Sequence, residues 1–332
     1  MISPLGRHAR HLFSMGAYAV ALAAALVTST APAMAAGYPD PLPVSGDITV
    51  HDPSIVKTAN GTYIVASTGT NLELRTSTDR TTWRRAGVVW PNGAPWTSQF
   101  TGGSSVLWAP DISFHNGRYY LYYAASSFGS RNSAIFLATS TTAASGSWTN
   151  LGIVAQTSDA NDYNAIDPNL VVDSSGRWWL TFGSFWSGIK MIRIDPATGK
   201  QLAADRTLYA LAQRPAGVSG AIEAPFIIQR GGFYYLFASF DFCCRGTSST
   251  YRVMVGRAAS ITGPYTDRAG TPMTGGGGTE VVATHGAIIG PGHEALIADA
   301  DGWLMIYHYY TATDSRLAMN HVGWSGGWPA LF

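Results

Sequence analysis

Cysteine is nearly absent: the 332-residue chain has two, Cys243 and Cys244, side by side. A framework of disulfides is thereby excluded. A trans peptide holds neighbouring Cα atoms about 3.8 Å apart, tighter than the ~4.4 to 6.8 Å of ordinary bridges. The pair therefore reads as two buried thiols in preference to a strained vicinal ring. Charge is scarce as well: Asp, Glu, Lys and Arg make up 12% of the residues. No basic cluster invites nucleic acid or anionic lipid. The one long apolar run is AYAVALAAALV, residues 17–27, well below the ~20 residues that span a bilayer. It follows Arg7 and Arg10 and precedes the small residues of APAMAAG, the three-part layout of a secretory signal peptide. A leader over residues 1–35, a single mature domain over 36–332 and an extracellular location are the expectation, with no membrane partner. Without Arg7 and Arg10, Lys+Arg falls from 21 to 19 against 20 acidic residues, a formal charge near −1.

What the chain does have is aromatic residues, at 12%, and 37 glycines. This is the balance of an all-β exported protein with many tight turns. A surface so poor in charge suits a neutral ligand rich in hydroxyl groups.

An internal repeat organises the chain. HDPSIVKTANGTYIVAS (51–67), WAPDISFHNGRYYLYYA (108–124), IDPNLVVDSSGRWWLTFG (166–183), IEAPFIIQRGGFYYLFAS (222–239) and GHEALIADADGWLMIYHYY (292–310) share one pattern. Each has a lead residue, a short apolar strand, a turn ending in Gly and an aromatic-rich strand, which is a β-hairpin written five times. The turn glycines are Gly61, Gly117, Gly176, Gly232 and Gly302; nine residues before them stand Asp52, Trp108, Asp167, Glu223 and His293. Segments such as AIFLATS (134–140) and YRVMVGRA (251–258) supply outer strands. Five such units predict a five-bladed β-propeller, its blades four-stranded sheets around a central channel. A linear solenoid is the competitor, but neither end shows a polar capping unit. The fifth unit is short, so the segment from Ala36 to His51 is expected to complete the last blade.

If the lead strand of each blade lies innermost, its first residues converge on one axis. A single Asp-Pro pair usually only ends a turn. Turn chemistry would recur in all five units, whereas here the position diversifies to Asp, Trp, Asp, Glu and His, which points to a site. Two carboxyl groups flanking a glycosidic bond suffice for its hydrolysis, one protonating the departing oxygen while the other activates water or attacks the sugar. Glu223 sits among Ile222, Ala224, Pro225 and Phe226, surroundings that raise a carboxyl pKa by desolvation and suit an acid. Asp52, beside His51 and Pro53, is the candidate base. Asp167 is a third carboxylate, whose charge would keep Glu223 protonated and whose oxygens would orient it.

Four motifs in this order, HDPS with Asp52, NAIDPN with Asp167, GSFWSGI (183–189) and IEAP with Glu223, resemble the secreted arabinanases of glycoside hydrolase family 43, across about residues 40–330. The resemblance implies a five-bladed propeller, inversion at the anomeric carbon and cleavage of internal α-1,5-linked arabinofuranose bonds in plant cell-wall arabinan. It implies the general base at Asp52, the general acid at Glu223, and pKa tuning and orientation at Asp167. It places His293, in GPGH, against an axial metal ion, usually calcium, with water completing the shell. One imidazole is a poor match to a hard cation, which prefers oxygen, and the neighbouring Glu294 adds a negative charge. Trp108 is a candidate to stack on a furanose ring, while Asn164, Ser184 and Trp186 lie in motifs that line the family's central subsite.

Tyr119, Tyr120, Trp178, Trp179, Tyr234 and Tyr235 are expected in the core, since adjacent strand residues point to opposite faces. His115, His285, His308 and His321 show no ligand spacing, His308 in YHYY standing nearest to a role. Two alternatives use the same residues differently. A relative acting on chain ends, releasing arabinose or xylose, would need the same carboxylates, although SFDFCCRG (239–246) resembles the endo-acting enzymes. A non-catalytic sugar-binding propeller would repeat one binding set in every blade, which this chain does not. Propellers that hydrolyse fructosides with retention carry Cys after the acid, where this chain has Ala224. A monomer is expected.

Overall fold

The computed structural model describes residues 37–332, and the expected leader over 1–35 lies outside the described residues. The chain forms five consecutive antiparallel sheets, each built from neighbouring segments of sequence. Their first two strands are the hairpins read from the repeat. These are Ser54–Lys57 with Tyr63–Ser67, Val106–His115 with Arg118–Ala125, Asn169–Val172 with Trp178–Phe182, Ile222–Arg230 with Phe233–Phe240, and Ile289–Asp299 with Gly302–Tyr310. Third and fourth strands follow outward, among them Ser133–Ser140 and Arg252–Ala258. The only α-helix among the described residues is Ser98–Thr101. None is long and apolar enough to cross a membrane. The architecture is a five-bladed β-propeller.

Closure follows from where the apolar side chains go. In a strand, neighbours face opposite sides, so each doubled aromatic serves two seams. Tyr119 packs with Leu74 and Leu107 between blades 1 and 2, whereas Tyr120 packs with Trp178 and Leu180 between blades 2 and 3. Trp179 and Tyr234 share the seam between blades 3 and 4, and Tyr235 joins Met305 and Tyr307 between blades 4 and 5. A fifth cluster sets Val65 and Trp83 of blade 1 against Leu304, Ile306 and Met319 of blade 5. Five cores for five blades make a ring, which a solenoid cannot have.

The turn glycines have φ between +74° and +124°. A Cβ at any of the five would meet no atom within 4 Å, so the backbone angle and not space demands Gly. Turn length corrects the counted register. Blades 2 and 4 turn on two residues, Asn116-Gly117 and Gly231-Gly232, all with positive φ, as in type I′ hairpins. Blades 1 and 3 use longer loops, residues 58–62 and 173–177. Counting back nine therefore lands one residue early in blades 2 and 4. The positions that correspond in space are Asp52, Ala109, Asp167, Ala224 and His293, each with φ between +46° and +57°.

These five residues are kinks at the head of the innermost strands. Proline follows four of them, at Pro53, Pro110, Pro168 and Pro225, and Glu294 follows the fifth. Proline cannot donate to the ladder, and pairing skips across the kink between Trp108 and Asp111, Glu223 and Phe226, and Gly292 and Ala295. Such bulges re-aim side chains. The amides they free are satisfied by side chains of the preceding blade: Ala109 N–H donates to Thr68 Oγ1, Ala224 N–H to Asp167 Oδ2, and His293 N–H to Ser239 Oγ. Asp52 N–H donates to His308 Nδ1 of blade 5, closing the circuit. Three residues further on, Ile112, Leu170 and Ile227 donate their amides to Ser54, Asp111 and Asn169.

The N-terminal segment does more than the expectation. Blade 5 obtains its own fourth strand, Trp328–Leu331, which covers only the far half of Ser315–Ser325. Residues 42–50 bond along the uncovered half, through Leu42 N–H to Met319 O, Leu317 N–H to Ile48 O and Val50 N–H to Ser315 O. Ser45–Gly46 also runs parallel to Thr82–Val88 of blade 1. The segment thus adds to the outer edge of the last blade, as expected, and also seals its seam with the first.

Trp83, 1% exposed in that seam, tests closure. Trp83→Ala should cost about 3 to 5 kcal/mol, read as a lower denaturant midpoint at unchanged m-value; an unaltered midpoint would mean that the seam contributes little.

Candidate active site

Glu223 stands one residue before the kink of blade 4 and is buried. Ser184 Oγ donates to its Oε2 at 2.7 Å and Tyr251 Oη to its Oε1 at 2.8 Å. Burial raises its pKa; the two hydroxyl groups and the charge of His293 pull the other way, and the net direction is upward. Asp167, at the kink of blade 3, is also buried, and its pKa is pushed up to about 8, by burial first and by the charges of Glu223 and Asp52 besides, against the pull of His293. These two carboxyl groups keep protons to higher pH than exposed ones do.

Asp52, at the kink of blade 1, has the opposite environment. Its Oδ1 lies 3.0 Å from His293 Nδ1 and 3.5 Å from His51 Nε2, and Thr68 Oγ1 donates to its Oδ2. Burial alone would raise its pKa, but His293, then His51, outweigh it and hold the carboxyl well below the usual range. Burial would depress His293; Asp52 reverses this and lifts it to about 9. One carboxylate that stays ionised and two carboxyl groups inclined to hold protons therefore influence one another around one axis. This is the division of labour that acid–base cleavage needs.

The candidate sugar contacts fall into two kinds. Trp108 is half-buried and Trp186 is 37% exposed, with the Arg131 guanidinium 5.3 Å from its ring. Ser184 is buried and its hydroxyl is committed to Glu223; Asn164 is buried with no partner for its side-chain oxygen. His115 packs on Trp178, His285 on Tyr38 and His321 on Phe332, all outside this constellation. His308 belongs to it, fully buried against the Asp52 amide. Sequence reasoning missed Tyr251, Thr68 and His51. Only His51 carried a signal, its adjacency to Asp52; the other two lie outside the repeat positions.

The fit to an axial ion can be judged from the donors. His293 presents Nδ1 to Asp52, leaving Nε2 for an ion. Among the described residues the one group of three possible ligands within 4.8 Å of each other is His51, Asp52 and His308, and both nitrogens of His308 are already engaged. Glu294 is buried, bonded to Ser239 through Oε2 and unpartnered at Oε1, with burial as the first cause of a pKa raised to about 8. An ion would find a donor in His293 Nε2 only with that ring neutral, its single proton on Nδ1 toward Asp52.

The cysteines correct an expectation. Cys243 and Cys244 are bonded to each other in a vicinal disulfide, and neither is buried. The reason is the loop: they lie after Phe240 on the segment over the channel mouth, where no apolar core is available to shelter a thiol, and Cys244 takes φ +65° there.

A ring of β-sheets whose innermost strands converge on carboxyl groups of unlike proton affinity defines a glycoside hydrolase site. The chain matches the family described as Glycosyl hydrolases family 43 over residues 43–329, and it belongs to that family. It is 41% identical over 318 residues to the "Extracellular endo-alpha-(1->5)-L-arabinanase 1" of Bacillus subtilis, covering 93% of this chain and 95% of that protein. Its fold superposes on the "GH43 Endo-Arabinanase from Bacillus licheniformis" with a TM-score of 0.81 and 43% identity, covering 87% of this chain and 99% of that one. It also superposes on an "Exo-1,5-alpha-L-arabinanase from Bovine Ruminal Metagenomic Library" with a TM-score of 0.80 and 37% identity, with the same coverage.

Tyr251→Phe should separate orientation from mere packing. Its hydroxyl favours the ionised form of Glu223, so its loss raises the pKa of that group further. Since an acid must be protonated to act, the alkaline limb of kcat/KM moves to higher pH, and kcat falls about tenfold through lost alignment. A limb that stays in place would show that Glu223 is not the acid.

Proposed function

We propose that the protein is a secreted, inverting glycoside hydrolase that cleaves internal α-1,5-L-arabinofuranosyl linkages of arabinan. Glu223 is the general acid, Asp52 the general base, and Asp167 orients the acid and, in its ionised form, raises its proton affinity. The observation that carries this reading is the unlike surroundings of the two groups: Asp52 lies 3.0 Å from His293 Nδ1 and 3.5 Å from His51 Nε2, whereas Glu223 is buried against the hydroxyl groups of Ser184 and Tyr251. In the reaction Glu223 gives its proton to the departing glycosidic oxygen as the C–O bond breaks. Asp52 takes a proton from a water molecule, whose oxygen bonds to the anomeric carbon from the opposite face. Asp167 accepts the Ala224 amide, so it braces the backbone beside the acid. Trp108, Asn164 and Trp186 are offered to the sugar, the two indoles as stacking faces for a neutral ring.

The names of the Bacillus subtilis and Bacillus licheniformis relatives favour internal cleavage and the first an extracellular location. An axial ion, calcium by resemblance, would be held by Nε2 of a neutral His293 and would supply fixed positive charge to the site. Its removal by chelator is expected to lower activity and melting temperature together; indifference to chelator would leave His293 as a partner of Asp52 alone.

Digestion of linear arabinan decides the main reading. Mixed oligomers should appear from the earliest time points, whereas arabinose alone would establish terminal attack. Glu223→Gln should lower kcat by about 10³-fold or more while the near-ultraviolet circular dichroism stays intact; loss of tertiary signal would demote Glu223 to a structural residue.

A further inference from the structure

Two separate contacts lead from the vicinal disulfide to Asp52. In the first, Cys244 N–H donates to Tyr310 Oη at 3.0 Å, Tyr310 Oη lies 2.9 Å from His308 Nε2, and Asp52 N–H donates to His308 Nδ1 at 3.0 Å. Since Nδ1 accepts, a neutral His308 carries its proton on Nε2 and gives it to Tyr310. Tyr310 Oη thus accepts from both neighbours, and its own hydrogen is left for Cys244 Sγ, 3.7 Å away. In the second, Cys244 Sγ lies 3.8 Å from His51 Nε2. The His51 ring stacks on His308 with centroids 4.2 Å apart, and its Nε2 is 3.5 Å from Asp52 Oδ1. Neither route is needed to hold blade 4 together, because the loop that bears the cysteines leaves that blade after Phe240 and returns at Arg252.

The bond between adjacent sulfurs closes a small ring through one peptide and removes most of the torsional freedom of both residues. The Cys244 amide, on a backbone of positive φ, is thereby held toward Tyr310. We propose that the Cys243–Cys244 disulfide is a positioning element for Asp52, acting through Tyr310 and His308. This rests on Asp52 serving as the base of the proposed reaction.

The test compares wild type with Cys243→Ser/Cys244→Ser, with Tyr310→Phe, and with the variant combining all three changes, on linear arabinan. The first two should each lower kcat about tenfold with KM altered less than about twofold, and the combination should be no slower than the slower parent, because both break one chain. Losses that multiply, or a serine variant with wild-type kcat, overturn the proposal. A purely structural disulfide would lower melting temperature and leave kcat per folded molecule unchanged, which also overturns it. Crystal structures of wild type and the serine variant give a second readout that needs no substrate. The Asp52 carboxylate should shift by about 1 Å, enough to impair catalysis, and a carboxylate that keeps its place overturns the proposal. Wild-type inactivity on arabinan would instead sink the proposed substrate, and the structural comparison would still decide the role of the disulfide.

Discussion

The constraint on which the rest depends is the kink at the head of each innermost strand. Positive φ at Asp52, Ala109, Asp167, Ala224 and His293 breaks the strand ladder at one level of the ring. A freed amide buried near an axis must find an acceptor, since leaving it unpaired costs about as much as the lost bond. Four of the five find one on a side chain of the preceding blade. The same local device therefore fastens blade to blade and turns the flanking side chains toward the channel. Fold and site are not separable here, because Asp167 and His308 each accept an amide of the ring while belonging to the same cluster as Glu223 and Asp52.

Burial alone would make every carboxyl group on this axis a weak acid. Partners decide which ones remain so. Glu223 and Asp167 keep raised pKa values because the hydroxyl and amide donors around them do not offset desolvation. Asp52 escapes because His293 and His51 lie on one side of it. The seam between blades 5 and 1 supplies this exception. It brings His293 and His308 from the end of the chain against Asp52 and His51 from its start, so ring closure is what holds the Asp52 carboxyl ionised.

The wall of the channel is polar where the seams are apolar. Paired aromatics such as Tyr119 and Tyr120 divide their rings between two seams, which removes them from the mouth. Those that remain partly exposed there, Trp108 and Trp186, belong to a ring head and a connecting loop.

Strand periodicity, the five turn glycines and the spacing of Asp52, Asp167 and Glu223 were legible in the chain, since hairpins and alternating faces are local properties. From them the propeller and the convergence of three carboxyl groups could be read. Counting along the chain failed by one residue at Trp108 and Glu223, because the register depends on where in the hairpin the glycine falls. The partners of the carboxyl groups were not legible: Tyr251 meets Glu223, Thr68 and His308 meet Asp52, and Ser239 meets Glu294 only once blades are set side by side. The state of Cys243 and Cys244 was hidden likewise, since it depends on the loop that carries them out over the channel. Sequence by itself determined which segments pair with their neighbours; contacts between residues far apart in the chain, made when the ring closes, decided which carboxyl group holds its proton and which gives it up.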